Sequence, residues 1–359
     1  MGPEPALPMF TFVFNEIVCS LSIDTFSIVL RFSTAAWCCH SVMLIKKVGD
    51  ELMNEFIQVL QYLGEEEDMQ VVVEPDMYTR LAKSHPHFGF VHTYDENEVN
   101  RLGECVDFVA CLGGDGVILH ASHLFGEVIP PVICFHLGSL GFLTNHLFSE
   151  YRQALRNVIY GCADTSPCSI PDSFSAGVLI TLRMRLLCEV MRKGQEAPVQ
   201  SYEVLNEVVV DRGASPYLTN IECLERGRMI TRVQADGIIL ATPTGSTAYS
   251  VAAGGSMVHP NVPAMLITPI CPHSLTFRPV VLPDYADVEL KIPEGSRSTG
   301  WVSFDGRERR ELCAGDSVRV RMSRHPVPTI SKEDQTGDWF HSLEKCFGWN
   351  ERLQQKPLD

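Results

Sequence analysis

The sequence predicts two joined domains: an α/β domain built on a parallel sheet, followed by a β-rich domain of sandwich or layered type. Three observations carry this. From residue 41 to 161, strand-like runs alternate with helix-compatible ones. A stretch at 162–176 then contains Pro, Ser and Asp with little periodicity. Beyond it, strand-like runs follow one another with few helices. The chain has 359 residues, 45% apolar and 20% charged, which suits about two folded domains and excludes a disordered chain or a low-complexity array.

Taken in order, residues 1–40 differ from the rest. "MFTFVFNEIVCSLSIDTFSIVLRF" is apolar but interrupted by Glu16, Asp24 and Arg31, so it is too short for a membrane span of about 20 residues. It lacks a basic start for a secretory signal, and it is too acidic for a transit peptide. It reads as a divergent, poorly ordered extension, and the cytoplasm is the expected compartment, with the plastid as the alternative. The α/β domain spans 41–161. "SVMLIKK" is a strand, and Leu52, Phe56, Val59, Leu60 and Leu63 mark one face of a helix. "MQVVVEP" is a strand ended by Pro75, and "GFVHTYD" is another. "VDFVACLGGDG" is a buried strand entering a glycine turn, followed by the helix "VILHASHLFG". "PPVICFHLG" is a strand and "FSEYRQALRNVIYG" a helix that Gly161 stops. The β-rich domain spans 177–330, from "VLITLRMRLLCEV" to "DSVRVRM". One glycine-rich segment, "GSTAYSVAAGG", interrupts it. The tail 331–359 contains a helix, "DWFHSLEKCFGWNERL", that packs back on the first domain.

The formal net charge of −15 argues against a nucleic-acid binder, because such a surface repels phosphate backbones. A small anionic substrate then needs local cations or backbone donors. The 13 cysteines are odd in number and show no Cys-x-x-Cys spacing. Most lie in apolar runs and read as reduced core residues. His120 and His123 share a helix face, but no thiolate or carboxylate matches their spacing. No metal-ligating set is expected, and packing is the reading of both.

The chemistry belongs where glycines follow strands. Gly113, Gly114, Asp115 and Gly116 sit at the carboxyl end of a strand and the start of a helix, where open parallel sheets place ligands. Glycines let a phosphate approach the backbone, and helix N-terminal amides donate to it. A carboxylate there is out of place unless it meets Mg²⁺ or handles a proton, so Asp115 is the candidate general base. An ordinary Asp-Gly turn is the alternative. The spacing is neither a Walker A loop nor a Rossmann fingerprint. In "FHLGSLGFLT", Phe142 is either an aromatic platform for a base or plain core. Asn206 and Glu207 adjoin inside a β run, where a carboxylate is costly unless paired; they suit an adenine edge and ribose hydroxyls, or simply a bend. Thr242, Thr244, Gly245, Ser246, Thr247, Ala248 and Tyr249 follow a buried strand, with Asp236 at the preceding turn. Their hydroxyls and amides suit a phosphate or ribose, or a capped helix start. Two such turns, one per domain, suggest a site between the domains for two phosphorylated partners.

Together, "GGDG", "LGSLGFLT", "NEVVVDRG", "DGIILATPTGSTAY", "HPNVPAMLITPICPHSLTFRP" and "WVSFDGR" resemble the NAD kinase family, nearest its plant branch, over residues 41–350. The resemblance implies an α/β domain followed by a β-rich domain, with the site between them, in dimers or tetramers. It implies transfer of the γ-phosphate of ATP, with Mg²⁺, to the 2′-hydroxyl of the adenosine ribose of NAD. Asp115 then resembles the general base, Asn206 and Glu207 the adenosine grip, and Asp236 the carboxylate near the nicotinamide. Thr244 through Tyr249 resemble the dinucleotide turn, and Phe142 and Asp305 resemble further contacts at the site. ATP against polyphosphate, and NAD against NADH, stay open. A lipid or sphingoid kinase shares GGDG but not the other motifs, and a non-catalytic dinucleotide sensor would not need Asp115. Family members often have Gly where Ala235 stands, which puts the local geometry in doubt if that position needs a positive φ. The upstream calmodulin-binding and transit segments of plant members are not carried over.

Overall fold

The computed structural model describes residues 27–31, 40–138, 140–160, 177–296 and 298–351. The loop 162–176 and most of the segments 1–40 and 352–359 lie outside the described residues.

The first sheet is parallel at its centre. Its order is Ser27–Arg31, Gly177–Arg183, Val327–Ile330, Val132–His136, Phe108–Leu112, Ser41–Lys46, Gln70–Val72 and Val91–His92, with His146–Leu147 also paired to Val132–His136. The strands read as continuous apolar runs because both faces are covered. One face packs Leu44, Phe108, Ala110, Ile133 and Phe135 against Phe56, Val59 and Leu60 of the helix Met53–Gln61, and against Leu155 and Val158 of the helix Tyr151–Tyr160. The other face packs Met43, Ile45, Val109, Cys111 and Cys134 against Val117, Ile118, Ala121 and Phe125 of the helix Asp115–Phe125.

The C-terminal half is two six-stranded antiparallel sheets. They share one core, in which Leu186, Cys188, Ile221, Leu290 and Val318 of one sheet meet Val208, Ile238, Leu240, Val302 and Phe304 of the other. Period-two burial along Leu186–Met191 and Val288–Lys291 is the pattern of strands with one covered face.

The structure differs from the sequence reading in several places. Ser27–Arg31, inside the segment set apart as an extension, pairs antiparallel with Gly177–Arg183 and forms the edge of the first sheet. The run "VLITLRMRLLCEV" is two strands, not one: Gly177–Arg183 joins the first sheet and Leu186–Met191 joins the sandwich. Val327–Ile330 also returns to the first sheet, so the two architectures interleave near 177 and 330. The strand Gln70–Val72 stops before Pro75, which instead opens the helix Pro75–Ser84, taking the position where its missing N–H is harmless. Finally, the eight described cysteines are all free, but only Cys111, Cys134, Cys188 and Cys223 are buried. Cys105, Cys271, Cys313 and Cys346 are exposed, because an apolar neighbourhood in sequence does not fix which face a residue takes.

The corner between the architectures is held by Arg185, which is fully buried. Its guanidinium donates to the carbonyls of Gly126 at 2.6 Å, Glu127 at 2.7 Å, Ser122 at 3.3 Å and His325 at 2.5 Å. Three of these acceptors close the C-terminal end of the helix Asp115–Phe125, where the helix dipole favours a cation. Glu203 of the sandwich lies 3.9 Å away. Replacing Arg185 with Met leaves these carbonyls buried and unpaired, so chemical denaturation should show a loss of about 3–5 kcal/mol. A loss under about 1 kcal/mol would show that the corner stands without the guanidinium.

Candidate active site

The glycine turn lies where the strand Phe108–Leu112 meets its helix. The Gly113 amide donates to Phe135 O at 3.0 Å, which fixes the turn to the neighbouring strand. Gly114 is the N-cap and no side chain caps the helix, so its first amides face outward without a side-chain partner. Gly116 has open space on the side where a Cβ would stand. This is the arrangement in which backbone amides and the helix dipole receive an anion.

Asp115 is already engaged. Its carboxylate accepts from the amides of Phe142 at 2.9 Å and Leu143 at 3.0 Å, with the Thr144 hydroxyl at 3.4 Å. Gly141 makes this approach possible, since a Cβ there would stand 2.0 Å from Asp115 Oδ1. Asp115 therefore pins the segment 141–144 across the mouth of the turn. A carboxylate offers about four lone-pair positions, so it keeps capacity for a further donor. Phe142 does not stand free: its ring packs against Phe347 of the C-terminal helix Gln335–Phe347, at 5.3 Å. That helix also reaches this segment through Ser342, whose hydroxyl donates to Gly141 O, and through Asp338, which accepts from Asn145.

The second turn is tied together backbone to backbone. Asp305, at φ 47 and 7% exposed, collects the amides of Leu205, Asn206 and Glu207 at 2.8, 2.8 and 3.1 Å. Burial raises its pKa, and the three amides and His123 oppose that rise. Asn206 O accepts the Thr242 amide at 2.9 Å, and the Thr242 hydroxyl accepts the Gly245 amide. A Cβ at Gly245 would meet Asn206 O at 2.1 Å, a contact with backbone that cannot move aside. Two of the hydroxyls expected to meet a ligand are used on the turn's own backbone. Ser246 donates to Pro243 O and accepts from the Val258 amide, and Thr247 donates to Thr244 O. What the turn presents is backbone, the half-buried Asn206, and Glu207. Ala248 links the turn to the short helix Tyr249–Ala252, and Tyr249 is 44% exposed.

Glu207 is 7% exposed, and its Oε2 has no hydrogen-bond partner. Burial, followed by the charge of Asp305, pushes its pKa up to about 7. An unpaired buried carboxylate oxygen is the acceptor that a ligand hydroxyl would complete.

Asp236 is not brought to this turn. It pairs with Arg212 Nε at 2.7 Å and lies beyond the far end of the strand Gly237–Ala241, about 17 Å from Ala241 along the strand. Ala235 ends a strand and is not among the residues with positive φ, so alanine costs nothing there.

Sequence reasoning missed the residues that join the turns. His123, on the Asp115 helix, lies 3.5 Å from Asp305 through Nε2, with its pKa lowered mainly by burial. His120 meets Glu74 at 2.7 Å. Arg183 is buried between the turns, with Nη1 3.5 Å from the Thr244 hydroxyl and Nη2 3.5 Å from Phe142 O. An arginine in a β run carries no motif, so only the folded geometry exposes it. Among the described residues, no group of three or more His, Cys, Asp or Glu side chains could hold a metal ion.

Glu207 has a measurable signature. Its folded pKa of about 7 lies above the ordinary carboxylate value of 4.5, so the native state holds the extra proton. Ligand-free stability should fall as pH rises from about 4.5 through 7. Glu207→Gln should remove that slope and stabilise the protein by up to about 3 kcal/mol at pH 8. Equal pH slopes in urea unfolding of the two proteins would contradict the burial argument.

Comparison with known proteins identifies the family. The ATP-NAD kinase N-terminal domain model matches residues 12–163, and the ATP-NAD kinase C-terminal domain model matches residues 205–332. The first match begins inside the segment that the sequence reading set apart. The chain is 59% identical over 318 residues to chloroplastic NAD kinase 2 of Arabidopsis thaliana, covering 89% of this chain and 31% of that protein. The chain thus spans about a third of the length of that relative. The crystal structure of yeast NADH kinase complexed with NADH superposes with a TM-score of 0.80 at 30% identity, covering 95% of this chain and 96% of that one. An Archaeoglobus fulgidus NAD kinase in complex with ATP shares the fold, with a TM-score of 0.60 at 20% identity, over 85% of this chain and 99% of that one. Two domain models in order over more than half the chain, with a 30%-identical structure matched almost end to end, place this chain in the NAD kinase family.

Proposed function

We propose that this chain transfers the γ-phosphate of ATP to the 2′-hydroxyl of the adenosine ribose of NAD, giving NADP. One observation carries the reading: an uncapped glycine turn bearing Asp115 and a buried carboxylate with an unpaired oxygen, Glu207, are held in one structure by shared side chains. The first suits a triphosphate and the second a ribose hydroxyl. The similar yeast structure holds NADH, and the archaeal one holds ATP.

On this reading the triphosphate lies over Gly113–Gly116, where outward amides receive its charge. NAD lies over Asn206, Glu207 and the turn from Thr244 to Tyr249, with the ribose completing Glu207 Oε2. Asp115 accepts the 2′-hydroxyl proton as that oxygen attacks the γ-phosphorus and the bond from that phosphorus to the departing ADP breaks. The amides of Phe142 and Leu143 hold the carboxylate in place for this, and positioning supplies most of the acceleration. Among the described residues no cluster of carboxylates, histidines or thiols would hold a metal ion by itself, so a magnesium would arrive on the triphosphate, whose charge it would neutralise. On this reading Asp236, paired with Arg212 beyond the far end of the strand, would lie toward the nicotinamide half. The exposed ring of Tyr249 is consistent with a homo-oligomer in which it serves a neighbouring subunit, and sedimentation tests this. No helix among the described residues is long and apolar enough to cross a membrane. The sequence alone favours the cytoplasm, whereas likeness to a chloroplastic relative supports the plastid; imaging of a fluorescent fusion separates the two.

A coupled assay with ATP, magnesium and NAD or NADH, reading the phosphorylated product through a dehydrogenase specific for it, tests the reaction. Product should require the nucleotide donor, the dinucleotide and magnesium together. Asp115→Asn should lower turnover about 10²–10⁴-fold while NAD still binds. Near-normal turnover in that variant would remove Asp115 from the chemistry.

A further inference from the structure

Arg183 closes the strand Gly177–Arg183 and is buried, at 6% exposure. A guanidinium has five N–H donors. Three neutral oxygens accept from it: Thr329 Oγ1 at 3.0 Å, Thr244 Oγ1 at 3.5 Å and Phe142 O at 3.5 Å. Among the described residues no carboxylate forms an ion pair with it, whereas its neighbour Arg185 has four carbonyls and Glu203. Burial holds its pKa down to about 10, and the charges of Asp115 and Asp338 oppose this from beyond contact. A buried cation with so few acceptors is costly, and an arriving anion would offset that cost.

Its three contacts belong to three different parts of the chain. Phe142 is in the segment pinned by Asp115 beside the glycine turn. Thr244 opens the turn locked onto Asn206. Thr329 is in a central strand of the first sheet and touches neither turn. Resting on the kinase reading above, we propose that Arg183 is a positioning residue. Its planar fork sets the separation of the two turns, so that a triphosphate on one tightens the dinucleotide on the other. Coupling of this kind amounts to about 5–150-fold in affinity.

The test measures NAD binding by calorimetry with and without a non-hydrolysable ATP analogue and magnesium, beside turnover and thermal midpoint. In the unaltered protein the analogue should tighten NAD about fivefold or more. Arg183→Lys keeps a charge but replaces the fork with a point cation. It should bind each ligand alone within about threefold of the unaltered protein, lose the tightening, raise the KM for NAD at saturating ATP by the factor lost, and lower kcat about tenfold. Thr329→Val removes the Nε acceptor without touching either turn, and should lose part of the tightening. Retained tightening with kcat within about twofold in Arg183→Lys overturns the proposal, as does absence of tightening in an active unaltered protein. Loss of each ligand's separate binding with a lowered midpoint in both variants also overturns it, since Arg183 would then serve the fold alone. Absence of product from the unaltered protein with ATP and either NAD or NADH sinks the kinase reading itself, before any variant is compared.

Discussion

Two guanidinium groups must be buried at the corner where the chain leaves the parallel sheet for the sandwich, and the rest of the site is arranged around that constraint. Arg183 ends one strand and Arg185 precedes the next, with Met184 between them. Arg185 grips the carbonyl end of an 11-residue helix, and a helix of that length carries the constraint about 16 Å to its other end. That other end is Asp115. The same helix brings His123 against Asp305, which gathers the amides beneath Asn206 and Glu207. A rigid rod thus takes its position from the sandwich and returns it to both turns.

The acidity of the chain sharpens this arrangement. With a net charge of −15, attraction of anions cannot come from the surface as a whole. It comes from groups whose charge is fixed by the fold: outward helix amides, a buried guanidinium, and hydrogen-bonded carboxylates. Desolvation acts in opposite directions on Arg183 and Glu207, lowering the first and raising the second. The charged form of each is therefore costlier in the empty site than in water. A ligand that brings a phosphate to one and a hydroxyl to the other relieves both.

The sequence made the backbone part of this legible and the side-chain part less so. Glycine turns after buried strands are visible because a φ or a close approach leaves few residue choices, as at Gly141 and Gly245. Periodicity exposed the helices Met53–Gln61 and Tyr151–Tyr160, whose apolar faces are regular. It missed Pro75–Ser84, where only Leu81 is buried and so no stripe forms. It also read one strand where there are two, because a run of β-formers does not show which sheet each half enters. Arg183 and Arg185 were invisible, and His123 was read as packing, for a related reason: their partners are carbonyls, hydroxyls and one carboxylate far away in sequence. The hydroxyls of Ser246 and Thr247 show the converse case, since residue type suggested a ligand where the turn's own backbone was the partner.

The strand Val327–Ile330 has a consequence for how such a chain is made. It fills the slot between Val132 and Gly177–Arg183, yet the ribosome delivers it only after the whole sandwich. Until then the nascent parallel sheet has an unpaired margin at its centre, the kind of edge that invites pairing with another chain. Closure depends on contacts very distant in sequence, which form late and slowly. The two architectures are thus spatially distinct but not separable in biogenesis. A protein cut or recombined between them would leave one half without the piece that seals it.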